Sequence, residues 1–337
     1  MMITAAASRH AATARTLRHT PLRCAADRWA ALVAGGAAAR VTDPAFVDEC
    51  RQQYVANGWC HVPMFIPRAT CDELRAEAVG LLESEHAFAS SDEHTVYQEE
   101  ADPRLPPDHA RNRLMQSKKC IVDYARIPPQ SALRALYTAP QLRGFVQAVV
   151  GVPSLHLSAC PFNAAMVRPH SAPFRLACSR RARGSRQYNG YYDTDGLGWH
   201  FDRSEFGVNL VLQEPTSGGG FDYHRLTRSE ADLCSYAAVS AVLRASAEPR
   251  GGAASTASAP ERVTGVVAGS LVFFAGRLSL HRVSPVRGPR PRINAILTYE
   301  KEPGQLANPY SLEKFFGRTA AEQQAHLREV ARGGESS

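Results

Sequence analysis

Near Leu155 the spacing of apolar residues in this 337-residue chain changes from helical to alternating. Before that point, Phe46, Val47, Cys50, Tyr54 and Val55 recur as on one face of a helix, which Asn57-Gly58 ends. Trp59 to Ile66 reads as a short strand, and Thr70 with Glu73 predicts a capped helix burying Leu74, Ala78, Leu81 and Leu82. Residues 90–112 are polar and proline-containing, which predicts a surface loop, and Ser131 to Val150 predicts one or two helices. Beyond Leu155 the apolar segments are short, and Gly and Pro clusters separate them. Strands are predicted at Phe162–Val167, Gly198–Asp202, Phe206–Gln213, Phe221–His224, Ser270–Phe274, Ser279–Val286 and Arg292–Glu300. Seven short strands with such punctuation call for an antiparallel sandwich or barrel. The expected fold is therefore mainly β with flanking helices: one domain over 41–318, with a helical front at 41–154 and a β core at 155–302.

Two stretches lack the apolar residues to pack in such a core and are expected to be insertions, 168–189 and 248–260. The net charge of +7 is concentrated in one of them and in the N-terminus. Residues 1–26 carry four arginines and no acid, and 168–189 carry six arginines and no acid, so the rest of the chain sums to −3. A slightly acidic body argues against a nucleic-acid partner. Residues 1–40 read as a disordered leader; the Ala, Arg, Ser and Thr content of the first 26 is also that of a transit peptide for a mitochondrion or plastid, and composition leaves both readings open. Residues 319–337 read as a C-terminal tail. The eight cysteines form no C-x-x-C pair, which fits reduced thiols in a soluble intracellular protein. The apolar run from Trp29 to Ala39 is shorter than the roughly 20 residues that span a bilayer.

The chemistry concentrates in the β half. His200-Phe201-Asp202 is the chain's one H-x-D, and on a strand residues two apart share a face, so both side chains can reach one metal ion. His281 lies on a later predicted strand and supplies a third donor. Two imidazoles and one carboxylate form the facial triad that suits iron(II) and leaves three positions open. An α-keto acid such as 2-oxoglutarate can take two of these and dioxygen the third. The far carboxylate of 2-oxoglutarate then needs a fixed cation, and Arg292 opens the next strand on a face shared with Asn294, Ile296 and Thr298. Arg287 and Arg290 sit in a turn and read as surface charges, as do Arg113, Lys118 and Lys119. Gly218-Gly219-Gly220 reads as a tight turn, while Tyr191, Tyr192 and Trp199 are candidates for the mouth of the barrel.

These motifs together resemble the iron(II)/2-oxoglutarate-dependent dioxygenase superfamily, with its H-x-D, distal His and following basic residue. Phe46 to Phe65 is similar to the opening helix and strand of phytanoyl-hydroxylase-like members. Gly198 to Asp202, Gly218 to Tyr223, Gly269 to Phe274 and His281 to Gly288 follow in that family's order. The resemblance spans roughly 45–318 and implies a double-stranded β-helix, or jelly roll, with Fe(II), 2-oxoglutarate and dioxygen as cofactor and co-substrates. It is nearest to small-molecule hydroxylases and halogenases of free amino acids. Halogenases have a small residue in place of the carboxylate ligand, so with Asp202 at that position the resemblance implies hydroxylation, or a related oxidation, of a small-molecule substrate. Two other readings leave the same residues in place: a catalytically silent jelly-roll metal-binding or scaffold protein, and a cupin-type dioxygenase that does not use 2-oxoglutarate.

Overall fold

The computed structural model describes residues 25–84, 87–160, 162, 165–166, 189–204, 206–247 and 260–334. The first element, α1 (Ala25–Leu32), is followed by α2 (Gly35–Arg40) and α3 (Pro44–Asn57). Asp43 caps α3 by accepting from the Ala45 N–H, and Gly58 stops it in the left-handed conformation, as Asn57-Gly58 predicts. Strand β1 (Trp59–Val62) leads to α4 (Arg68–Leu82). Pro67 occupies the N-cap of α4, three residues before Thr70, which is left in the first turn as a buried side chain instead of the expected cap.

The expected loop at 90–112 is corrected at its start, where β2 (Phe88–Thr95) pairs along its whole length with β3 (Leu114–Ile121). An edge strand needs few apolar residues, and the alternation was hidden because its inward side chains include Ser90 and His94. Helices α5 (Ala132–Thr138) and α6 (Pro140–Val150) follow, with Ser131 capping α5.

The β core then runs β4 (Asn189–Tyr191), β5 (Leu197–His200), β6 (Phe206–Gln213), β7 (Phe221–His224), β8 (Leu271–Phe274), β9 (Leu280–Val283) and β10 (Arg292–Glu300). The large sheet has the order β1-β8-β6-β10-β4-β3-β2, and the small sheet places β7, β9 and β5 side by side. From β4 to β10, successive strands alternate between the two sheets, and the named strands pair antiparallel. That alternation is the winding of a double-stranded β-helix, so the jelly roll stands on the chain's own topology. Helix α7 (Tyr236–Ala247) lies between β7 and β8 in the chain; α8 (Pro309–Phe316) and α9 (Ala320–Gly334) close it.

Period-two patterning divides each large-sheet strand between two environments. On β10, Ile293, Ala295, Leu297 and Tyr299 enter the apolar core under α1 to α6, while Arg292, Asn294, Ile296, Thr298 and Glu300 line the cavity between the sheets. On β6, Val208, Leu210 and Leu212 enter the same core, whereas Asn209, Val211 and Gln213 face the cavity. The helices thus seal one face of the large sheet and leave the other for chemistry.

Two boundaries of the expected domain move outward. Trp29, Val33, Ala37 and Val41 are buried in the main core, with Trp29 edge-on to Phe65, so residues 25–40 belong to the folded domain and not to a leader. Amphipathic packing outweighed an alanine-rich composition there. At the other end α9 replaces the expected tail, and Gln323 is buried with its amide on the Cys160 sulfur. Of the first 26 residues, on which the transit-peptide reading rests, 1–24 lie outside the described residues, as do 168–188 of the insertion expected at 168–189 and 248–259 of that expected at 248–260; Asn189 instead opens β4. Among the described residues no helix is long and apolar enough to cross a membrane.

Candidate metal centre and active site

Strand register brings the two histidines together. His200 closes β5 and pairs directly with His281 on β9, 81 positions further along the chain, placing the ring centroids 4.1 Å apart. Asp202 reaches them differently from the expected strand alternation. The strand ends at His200; Phe201 then donates its N–H to Val96 and Asp202 donates its own to the Gly276 carbonyl. That turn directs the carboxylate at both imidazoles, with Oδ1 3.5 Å from His200 Nε2 and 3.4 Å from His281 Nε2.

The three donor atoms lie within 4.8 Å of one another. Neighbouring donors on one metal with bonds near 2.1 Å sit about 3 Å apart, so small side-chain movements suffice to bring all three onto one ion. Each histidine is already set for that role: His200 donates Nδ1–H to the Gly198 carbonyl and His281 to the Ser279 carbonyl, which turns both Nε2 lone pairs toward the carboxylate. Burial, followed by repulsion from His281, pushes the His200 imidazole down to about 4, so it is neutral at physiological pH as a ligand must be. Burial pushes the Asp202 carboxyl up, but attraction to His281 and the hydrogen bonds with both imidazoles outweigh it and hold the group well below the usual carboxylate range. Phe221 and Phe274 pack around the His281 ring and wall off that side.

The cavity beside this triad has a volume of about 710 Å³ and contains Arg292. The Arg292 side chain is 8% exposed, lies 5.4 Å from the centre of the Tyr191 ring and donates to Asn294 Oδ1 at 2.7 Å. Among the described residues it has no carboxylate partner. A buried cation without an anion is costly, and its burial lowers its pKa. A ligand carboxylate would remove that cost, so donor set and cation both fit iron(II) with a dicarboxylic α-keto acid. Gly218 and Gly219 form a turn in the left-handed conformation against this arginine, and a Cβ at 219 would lie 3.3 Å from Arg292 Cδ.

Other expectations divide. Arg287 and Arg290 are exposed and Tyr191 lines the cavity, but Trp199 is buried in a small core with Phe201 and Leu280. Lys119, read as solvent-facing, is instead 5% exposed, lines the cavity and stands over the Phe315 ring at 4.2 Å. Its neighbour Lys118 does face solvent and pairs with Asp195, so strand alternation between these two lysines was the signal that composition concealed.

His94 is a further buried histidine that sequence reasoning missed. It hydrogen-bonds Ser117 Oγ at 2.6 Å and the Thr95 carbonyl, and its ring stands edge-on to His200. Burial, with a smaller push from His200, lowers its pKa from 6.5 to about 3. The folded pKa lies below the unfolded one, so as pH falls the unfolded chain binds the proton first; the stabilisation is complete above pH 6.5 and is lost on the way to pH 3. The metal-free protein is expected to lose about 2 kcal/mol between pH 6.5 and 5 from His94 alone, with His200 adding in the same direction. Urea melts across that range check this, and His94→Gln should flatten the slope.

No protein-family profile matches the chain, and no curated protein matches it in sequence. Solved structures do superpose on it. The α-ketoglutarate-dependent non-haem epimerase SnoN of nogalamycin biosynthesis is 15% identical over 76% of this chain and 83% of its own, with a TM-score of 0.46. HygX from Streptomyces hygroscopicus, with nickel and 2-oxoglutarate bound, is 15% identical over 75% and 86%, with a TM-score of 0.43. A Pseudomonas putida prolyl-4-hydroxylase is 15% identical over 75% and 98%, with a TM-score of 0.41.

Proposed function

We propose that this protein is an iron(II)- and 2-oxoglutarate-dependent dioxygenase that hydroxylates a small molecule. The observation that carries the reading is the placement, in one cavity of a jelly roll, of a His-Asp-His donor set beside a buried arginine that has no carboxylate partner among the described residues. His200, Asp202 and His281 would hold the iron, and Arg292 would hold the tail carboxylate of 2-oxoglutarate. When bound, this metal and co-substrate supply, with dioxygen, the two-electron oxidation of a substrate C–H bond, releasing succinate and carbon dioxide.

The chain's own contribution is positional. His200 and His281 keep fixed tautomers through their backbone acceptors, so their Nε2 atoms are presented without reorganisation. Phe221, Phe274 and Ile296 exclude water from the neighbourhood of the donors, and Arg292 sets which way a dicarboxylate lies in the cavity. Polar side chains such as Gln98, Asn189 and Asn308 line the same space and suit a small polar substrate, of which free amino acids are the first class to try.

The test is succinate release from 2-oxoglutarate by iron-loaded protein in air, with a panel of free amino acids as triggers. Arg292→Ala is expected to raise the KM for 2-oxoglutarate about 100-fold while leaving iron binding intact, the loss of one charge-assisted bidentate contact. Iron binding with no 2-oxoglutarate consumption under any trigger would overturn the reading in favour of a cupin-type or silent metal protein.

A further inference from the structure

Resting on that reading of Arg292, we infer that Asn294 is the positioning residue that orients Arg292 without cancelling its charge and so keeps the cavity selective for a dianionic co-substrate, and that Asn209 positions Asn294. Arg292 Nη1 donates to Asn294 Oδ1 at 2.7 Å, and Asn294 Nδ2 donates to Asn209 Oδ1 at 2.9 Å. Asn294 is 2% exposed, and all three side chains face the cavity. A guanidinium can only donate, so Asn294 has to present its oxygen to Arg292. Its amide nitrogen must then point at position 209, where only an acceptor satisfies it. The cation thus fixes the orientation of both amides in turn, and the chain of donors runs from β10 to β6 across the cavity floor.

The consequence lies in what Asn294 does not carry. An amide oxygen orients the guanidinium and satisfies one of its N–H groups, yet leaves its positive charge uncancelled. A carboxylate of the same shape would do the first and undo the second, forming an internal ion pair where the ligand's tail should sit. The difference between Asn and Asp at this position is therefore the difference between an open anion site and a closed one.

The experiment compares two α-keto acids on nickel-loaded protein, where no turnover occurs: 2-oxoglutarate, and 2-oxobutyrate, which has the same chelating head without a tail carboxylate. Calorimetric Kd values give the preference for the dianion. Wild type is expected to favour 2-oxoglutarate about 100-fold, and Arg292→Ala to abolish the preference. Asn294→Asp should reduce it to about threefold or less with 2-oxobutyrate binding unchanged, while Asn294→Ala and Asn209→Ala should each reduce it about 3- to 10-fold. Should Asn294→Asp fail to fold, Asn294→Ser and Asn209→Ala carry the test, each with the smaller loss of about 3- to 10-fold.

A wild-type preference that Arg292→Ala abolishes but the position-294 and position-209 variants retain would overturn this inference alone. A wild type without preference would remove Arg292 as the tail site, and both the functional reading and this inference with it.

Discussion

Asp202→Ala is expected to weaken metal binding by more than about 100-fold, the upper range for loss of an outer-sphere partner, and to abolish succinate formation. The carboxylate is the only anionic donor in the triad, and both Nε2 atoms converge on its Oδ1 at 3.5 and 3.4 Å. Without it two neutral imidazoles would remain to hold a divalent cation in a site walled by phenylalanines. The fold should survive, because Asp202 follows the end of β5 and the hydrogen bond from its backbone N–H to the Gly276 carbonyl is kept by alanine. Metal titration followed by thermal melting of the metal-free variant separates the two effects. Unchanged affinity would remove Asp202 from the coordination sphere.

Gly276→Ala is expected to do nearly as much damage from outside the triad. Gly276 lies buried in the turn between β8 and β9, and a Cβ there would fall 1.9 Å from Asp202 Oδ2 and 2.7 Å from its Cγ. The backbone is not in the left-handed region at this glycine, so alanine brings no strain of its own. The added methyl must therefore push the carboxylate away from the imidazoles. Metal affinity should fall about 10- to 100-fold, as when an outer-sphere support is lost, while the metal-free melting temperature changes little. A variant that binds metal normally would show that Asp202 reaches the metal from a second rotamer.

The difference between these two positions shows which parts of the site could be read from sequence. His200, Asp202, His281 and Arg292 could be singled out as candidates because each proposed role demands a particular residue type, and three of them lie on strands of the structure. The spans of β6, β7 and β10 match the sequence reading residue for residue because inward and outward neighbours alternate between polar and apolar. Asn209 and Asn294 carried a weaker signal, as amides on the inward faces of neighbouring strands whose outward faces are apolar. Gly276 carried none, since its importance is a steric fact created by a turn that meets Asp202 from 74 residues away. The polar edge strand β2 and the alanine-rich helices α1 and α2 were hidden by composition: the one buries serine and histidine, the others bury few but well-placed residues such as Trp29 and Ala37.

In the proposed function, one iron held by His200, Asp202 and His281 would bind 2-oxoglutarate beside Arg292. Anaerobic titration of the iron(II)-loaded protein with 2-oxoglutarate tests it directly, because chelation through the keto oxygen produces a visible metal-to-ligand charge-transfer band. The expected result is a band that saturates at one 2-oxoglutarate per iron, disappears in Asp202→Ala and needs much more 2-oxoglutarate in Arg292→Ala. Iron that binds tightly and gives no band, or a band indifferent to both substitutions, would contradict it.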